Sequence, residues 1–160
     1  MKTLLALLLV YALADSIHAA LAALYRLGGQ DIPSQHRVPA AARSIREFWG
    51  SRWNRTVSRW LDRSLFRAWA RRGRPRIGWA LAFLVSAAVH AYFVLVAVGP
   101  SMALWMASYF LLQGLLVLAE LGLHVDRWPR AAAHVWVVAV MLLTAPLFIE
   151  PFLRVLGIGG

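Results

Sequence analysis

Four runs of mostly apolar residues, Leu4–Tyr25, Ile77–Val98, Met102–Leu123 and Ala131–Phe152, take up more than half of this 160-residue chain. A helix needs about 20 such residues to cross the hydrocarbon core of a bilayer. The chain therefore reads as an all-α, polytopic membrane helix bundle. It has about four transmembrane helices and one domain over residues 1–160. Pro100 marks the tight link between the second and third spans, and Pro129 precedes the fourth. Pro146 and Pro151 fall late in the fourth, where neighbouring helices can satisfy the carbonyls that a proline frees.

The first run has a rival reading. Lys2, an apolar stretch and Ala12-Leu13-Ala14 imitate a signal peptide with its cleavage site. The apolar pattern continues past that point to Tyr25 and no polar domain follows, which favours a span.

Charge sets the expected orientation. Thirteen of the 17 basic residues lie between Arg26 and Arg76, and Arg127 and Arg130 fall in the loop 124–130 on the same side. The other side holds only Lys2 and Arg154. Basic loops stay in the cytoplasm, so the Arg-rich segment is expected to be cytoplasmic with both termini outside. The Arg- and Ala-rich composition suggests a bacterial inner membrane. The net charge of +10 is assigned to anionic lipid headgroups and not to nucleic acid, because no groove-reading motif accompanies it.

Residues 26–42, with Gly28, Gly29, Pro33 and Pro39, read as a loop. Ser44 and Glu47 then fit a capping box that opens a helix. Over the basic segment 43–72 the pattern predicts an interfacial amphipathic helix. Trp49, Trp53, Val57 and Trp60 lie on one face, and Arg52, Arg55, Arg59 and Arg63 on its neighbour. A lipid anchor explains most of these side chains. Asn54 fits less well, since it shares a stripe with Val57 and Leu61 away from the arginines. An amide there needs partners, as a helix-packing group or as part of a site.

Polar groups inside spans are candidates for function. The second span holds one ionisable residue, His90, with Ser86 one turn earlier. His90 could be a packed histidine bonded to a carbonyl, or a site residue. In the third span Gln113 and Glu120 share a face, with His124 one turn on, and this could be a bundle-facing polar stripe. Asp15 and His18 face one way on the first span and are expected to point into protein. The five histidines are dispersed and cysteine is absent, so no metal centre, disulfide or thiol nucleophile is expected. Neither GxSxG nor a phosphate-binding loop occurs.

Residues 43–54, RSIREFWGSRWN, resemble the S-[LI]-R-E-F-W-G-R-R-W-[NH] motif of membrane-bound O-acyltransferases, in their wax-synthase-like branch. VSAAVH (85–90), FLLQGLLVLAE (110–120) and LTAPLFIEPFLR (143–154) follow in the order of that branch. The resemblance implies acyl transfer from acyl-CoA, as co-substrate, to a hydroxyl of a lipidic or small alcohol, with no permanently bound cofactor. It implies Asn54 and His90 as the catalytic pair. A neutral imidazole is a suitable base for an alcohol, and an amide can donate to the developing oxyanion. Arg52, Trp49, Trp53, Ser86, Gln113 and Glu120 are the expected substrate-binding residues, with Arg52 and its neighbours where CoA phosphates would arrive. The chain departs from the family in two ways. Family members are usually longer, with more membrane helices, and Ala87 and Ala91 replace a glycine and a polar residue around the histidine. The alternative expectation is a non-catalytic relative, a membrane scaffold or half-enzyme completed by a second copy or a partner chain.

Overall fold

The computed structural model describes residues 2–158. The ends of the expected 1–160 domain, Met1, Gly159 and Gly160, lie outside the described residues. Four long helices dominate: α1 (Lys2–Leu27), α5 (Pro75–Val98), α6 (Pro100–Leu123) and α7 (Arg130–Val155). All four are long and apolar enough to cross a membrane, and they extend the four sequence-predicted spans by only a few residues. Between α1 and α5 lie three short helices, α2 (Ile45–Glu47), α3 (Arg55–Leu61) and α4 (Arg67–Ala70). Wide π-type turns at Phe48–Arg52 and Asp62–Phe66 lead on from α2 and α3. No strand occurs among the described residues.

The α5–α6 hairpin turns on a single residue. Gly99 has φ 98° and ψ 179°, a conformation open essentially to glycine alone, and Pro100 starts α6 with a pre-set φ. The two helices then approach closely. A Cβ on Gly114 would lie 2.8 Å from Cβ of Phe83, so only glycine permits this crossing. Phe83, Ala87 and Val94 of α5, Met106, Phe110 and Val117 of α6, and Val140 of α7 form the main core, which Ile45 of α2 joins. α1 stands to one side. Its Ala6 and Val10 pack on Ala145 and Ile149 of α7 in a separate cluster.

The basic segment 43–72 is not one continuous helix. It breaks at Trp53–Asn54, where Trp53 is extended (φ −99°, ψ 138°) and Asn54 is left-handed (φ 38°, ψ 59°). Its first part does not lie flat either. Glu120, near the end of α6, accepts from the backbone N–H groups of Ile45 and Arg46 at 2.7 and 3.1 Å. Gln113, two turns nearer the middle of α6, accepts from the indole N–H of Trp49 at 3.1 Å. Seven residues of α-helix span about 10 Å. The chain therefore descends from Glu120 to Gln113 along α6 before turning at Asn54. Irregular backbone at such depth is tolerated where it lines a cavity, as Phe48, Trp49, Gly50, Trp53 and Asn54 do here.

The capping box forms with a shifted return bond. Ser44 Oγ accepts from Glu47 N–H, but the Glu47 carboxylate reaches back to the N–H of Arg43 and not of Ser44, each at 2.8 Å. Glu47 also pairs with Arg52 at 2.8 Å. The third-span polar stripe stops at Glu120, because His124 leaves the helix in a left-handed conformation (φ 51°) and is exposed. Asp15 is exposed and does not point into protein as expected, while His18 is half-buried.

Candidate active site

A cavity of about 1060 Å³ opens between α1, the corner at Trp53–Asn54 and the α5–α7 bundle. Its wall is mostly apolar. α1 contributes Leu7, Tyr11 and Ile17, α6 contributes Tyr109 and Phe110, and α7 contributes Phe148 and Phe152. Five of the sequence-predicted site residues line it together: Trp49, Trp53, Asn54, Ser86 and His90. The polar rim carries Ser58, Arg59 and Asp62.

His90 sits on α5, about 22 Å along the helix from Pro75 at 1.5 Å per residue. Its Nδ1 lies 2.8 Å from the carbonyl oxygen of Ser86. A carbonyl can only accept, so Nδ1 carries the proton and Nε2 presents a lone pair. The Phe110 ring packs against the imidazole, with 4.2 Å between centroids and a 32° tilt. Ser86 thus serves His90 through its backbone. The bond that a packed histidine would make is present, and it leaves the basic nitrogen unspent.

Asn54 occupies the left-handed corner, which asparagine adopts more readily than other non-glycine residues. Its Oδ1 accepts from the N–H of Val57 at 3.4 Å, capping α3, and from Nε2 of Gln35 at 2.8 Å. The oxygen end of the amide is therefore occupied. No hydrogen bond from Nδ2 occurs among the described residues.

Arg52, Gln113 and Glu120 lie outside the cavity wall. The Arg52 guanidinium is held by Glu47 and by the carbonyls of Arg37 and Val38. Gln113 is fully buried. It donates to Thr144 Oγ1 at 2.8 Å and accepts from Trp49. Glu120 accepts a third bond, from the Trp136 indole, at 2.9 Å. These three side chains hold the segment that carries Trp49, Trp53 and Asn54. Of the four arginines on the predicted face, only Arg59 lines the cavity, and its guanidinium makes no hydrogen bond among the described residues. Arg55 donates to Ser34 O and Arg63 to Arg59 O.

Sequence reading missed Gln35 and His36. Both sit in what reads as a loop, and the only signal is a Gln-His pair framed by Pro33 and Pro39. His36 is 8% exposed, and its Nδ1 accepts from the N–H of Asn54 at 3.4 Å. Burial is the main influence on the ring and pushes its pKa below the ordinary histidine value. Asp15 opposes that fall, and His18 adds to it. At Glu47, burial raises the carboxyl. The hydrogen bonds from Arg43 N–H and Arg52, with their positive charges, outweigh it and hold the group below the ordinary glutamate value. No group of three or more metal-binding side chains is found among the described residues.

Comparison with known proteins adds two matches. The family described as "Membrane bound O-acyl transferase family" matches residues 32–113, a span that contains Asn54, His90 and Gln113. A protein of Arabidopsis thaliana named "Probable long-chain-alcohol O-fatty-acyltransferase 3" is 32% identical over 145 residues. The match covers 79% of this chain and 41% of that protein, so the chain spans less than half of its relative's length. No solved structure matches.

Proposed function

The chain belongs to the membrane-bound O-acyl transferase family, and from that premise we propose that it moves an acyl group from acyl-CoA to the hydroxyl of a long-chain or other lipidic alcohol. One observation carries this reading. Two residues from separate elements line one apolar cavity, and among the described residues neither the basic nitrogen of the histidine nor the amide NH2 of the asparagine makes a hydrogen bond.

In this mechanism the alcohol O–H donates to Nε2 of His90, which takes the proton as the oxygen attacks the thioester carbonyl. The new C–O bond places negative charge on the carbonyl oxygen, and Nδ2–H of Asn54 donates to it. A preorganised donor in a water-poor site is worth more than the same group in water. Collapse breaks the C–S bond, and the imidazolium returns its proton to the departing thiolate. The products are an ester and free CoA, and His90 ends as it began.

The apolar walls suit the acyl chain and an alcohol of similar character. Trp49, Trp53 and Ser86 contact the substrates, while Arg52, Gln113 and Glu120 act by holding the segment that carries Asn54. The anionic end of the donor meets Arg59 at the rim, and its long thin arm spans the distance to His90. The Arg-rich side is the cytoplasmic side, where acyl-CoA is made available.

The test is acyl transfer by the purified protein. Radiolabelled acetyl-CoA and palmitoyl-CoA are offered with long-chain alcohols, beside His90→Ala. An ester that forms with the wild type and disappears in a folded His90→Ala protein supports the reading. No ester from folded wild-type protein, alone or as a purified complex, overturns it.

A further inference from the structure

The loop between α1 and α2 grips the Trp53–Asn54 corner from both sides. Arg37 N–H donates to Arg52 O and Arg55 N–H donates to Gln35 O, both at 2.9 Å. Between these two clamps, Gln35 Nε2 donates to Asn54 Oδ1 at 2.8 Å, and Asn54 N–H donates to His36 Nδ1 at 3.4 Å. The His36 ring is wedged between Trp53 and Tyr11, with centroids 4.4 and 5.4 Å away.

A primary amide has two orientations that exchange its oxygen and its nitrogen, and only hydrogen-bond partners distinguish them. For Asn54 the choice decides which end is free for a ligand. The Val57 N–H selects the oxygen, but at 3.4 Å the bond is long and weak. That backbone donor cannot turn, so it fixes the oxygen there, and Gln35 then adds its own NH2 at a much better distance, so two donors converge on Oδ1. With both present, the Nδ2 end is the one left over.

We propose that Gln35 is a positioning residue for acyl transfer: its amide holds the oxygen of Asn54, so that the NH2 end of Asn54 is presented to the cavity. His36 assists by accepting the backbone N–H of the same residue and by filling the space between Trp53 and α1. The inference rests on the acyl-transfer reading for its catalytic consequence but not for its geometry.

Asn54 is the only asparagine in the chain, which makes a direct test available. Protein labelled with 15N-asparagine in detergent micelles gives one side-chain NH2 pair and one backbone amide. Gln35→Glu has nearly the same shape but cannot donate once ionised. It is expected to shift or broaden the NH2 pair and to lower kcat by about tenfold or more, because a misaligned group forfeits its catalytic advantage. KM for the acyl donor is expected to stay unchanged. Gln35→Lys keeps a donor, and is expected to keep the NH2 signals near their wild-type positions with most of kcat.

The ordering separates positioning from bulk structure. The Arg55 guanidinium is held on Ser34 O, next to Gln35 in the chain, so a merely structural position would tolerate Glu better than Lys. Gln35→Lys worse than Gln35→Glu, or unchanged signals and kcat in Gln35→Glu, overturns the proposal. If Gln35→Glu is not recovered folded, Gln35→Leu carries the same expectation. In an Asn54→Ala background Gln35→Leu is expected to cause no further loss of kcat, and a fully additive loss overturns the proposal. A wild type without turnover sinks the acyl-transfer reading alone, since the NMR comparison needs no activity.

Discussion

Glu120 Oε1 accepts a 2.7 Å hydrogen bond from the backbone N–H of Ile45, 75 residues earlier in the chain. Ile45 and Arg46 are the first residues of α2, so these N–H groups have no partner within their own helix. Glu120 therefore caps that helix from across the fold while also holding the Trp136 indole. Removing the carboxylate leaves the buried Ile45 N–H unpaired, at about 1–3 kcal/mol, and the part-buried Arg46 N–H and Trp136 indole without their acceptor at a smaller cost. Glu120→Ala is expected to lower the thermal midpoint in detergent and to lose activity together with stability. Glu120→Gln, which keeps one oxygen, is expected to fall between. An Ala variant as stable as the wild type would remove Glu120 from this role.

His90 is expected to behave differently from Glu120. His90→Ala removes the proposed base from a cavity wall without unpairing a buried network. Acyl transfer should fall by about 10²–10⁴-fold, the usual worth of a general base, while the thermal midpoint changes little. Parallel measurement of turnover and unfolding checks this. Loss of fold in step with loss of turnover would make His90 a packing residue.

The spans were legible because bilayer thickness imposes a length and an apolar character that survive in any single sequence. Motif order pointed to Asn54 and His90 as a pair, and both line one cavity; Asn54 also stood out through its misfit on an amphipathic stripe. The descent of the segment 45–54 was not. Its pattern of Trp and Arg at helical spacing is the pattern of a flat interfacial helix. What redirects it is the pairing of Ile45, Arg46 and Trp49 with Glu120 and Gln113 on another helix, a tertiary fact without a local signature. For the same reason Gln113 and Glu120 read as substrate ligands, although their polar atoms are spent on protein. Gln35 and His36 were invisible because a loop residue shows its importance only through what it touches.

Arg52 and Arg59 illustrate how little a shared helical face says about shared function. The Arg52 side chain is only 17% exposed and pairs with Glu47, whereas Arg59 lines the cavity and its guanidinium makes no hydrogen bond among the described residues. Arg59→Ala is expected to raise KM for acyl-CoA with kcat nearly preserved, and the effect should shrink as salt screens the attraction. Arg52→Ala is expected instead to lower kcat and stability, because the corner loses its brace to Glu47 and to the carbonyls of Arg37 and Val38. Steady-state kinetics at two ionic strengths distinguish the pair, and equal KM effects would contradict the assignment.

The absence of cysteine makes the orientation open to a clean measurement. Ser64 is exposed in the basic segment, and Ser64→Cys provides a single thiol. A membrane-impermeant maleimide is expected to label it in inside-out vesicles and not in intact cells. Labelling in intact cells would reverse the proposed topology.

His36 gives the corner a dependence on pH whose sign follows from its surroundings. The ring is buried and its pKa lies below the ordinary value of 6.5, so the unfolded chain takes up a proton before the folded one does. Between 6.5 and the lower folded value the unfolded state binds more protons, and stability rises with pH there. The contribution is complete above 6.5 and is lost as pH falls towards the folded pKa. Protonation also fills Nδ1, the atom that accepts the Asn54 N–H, so the corner should loosen over the same range. Glu47 acts lower on the scale. Its pKa is depressed from 4.5, so its contribution is held above that value and lost on further acidification. His36→Asn supplies an oxygen near the place of Nδ1 without a titrating ring. It is expected to flatten the fall in thermal midpoint just below 6.5 while leaving the fall below 4.5 in place. A wild-type midpoint that is level through the upper window, or one that rises as pH is lowered, would show that His36 is not buried and neutral at the corner.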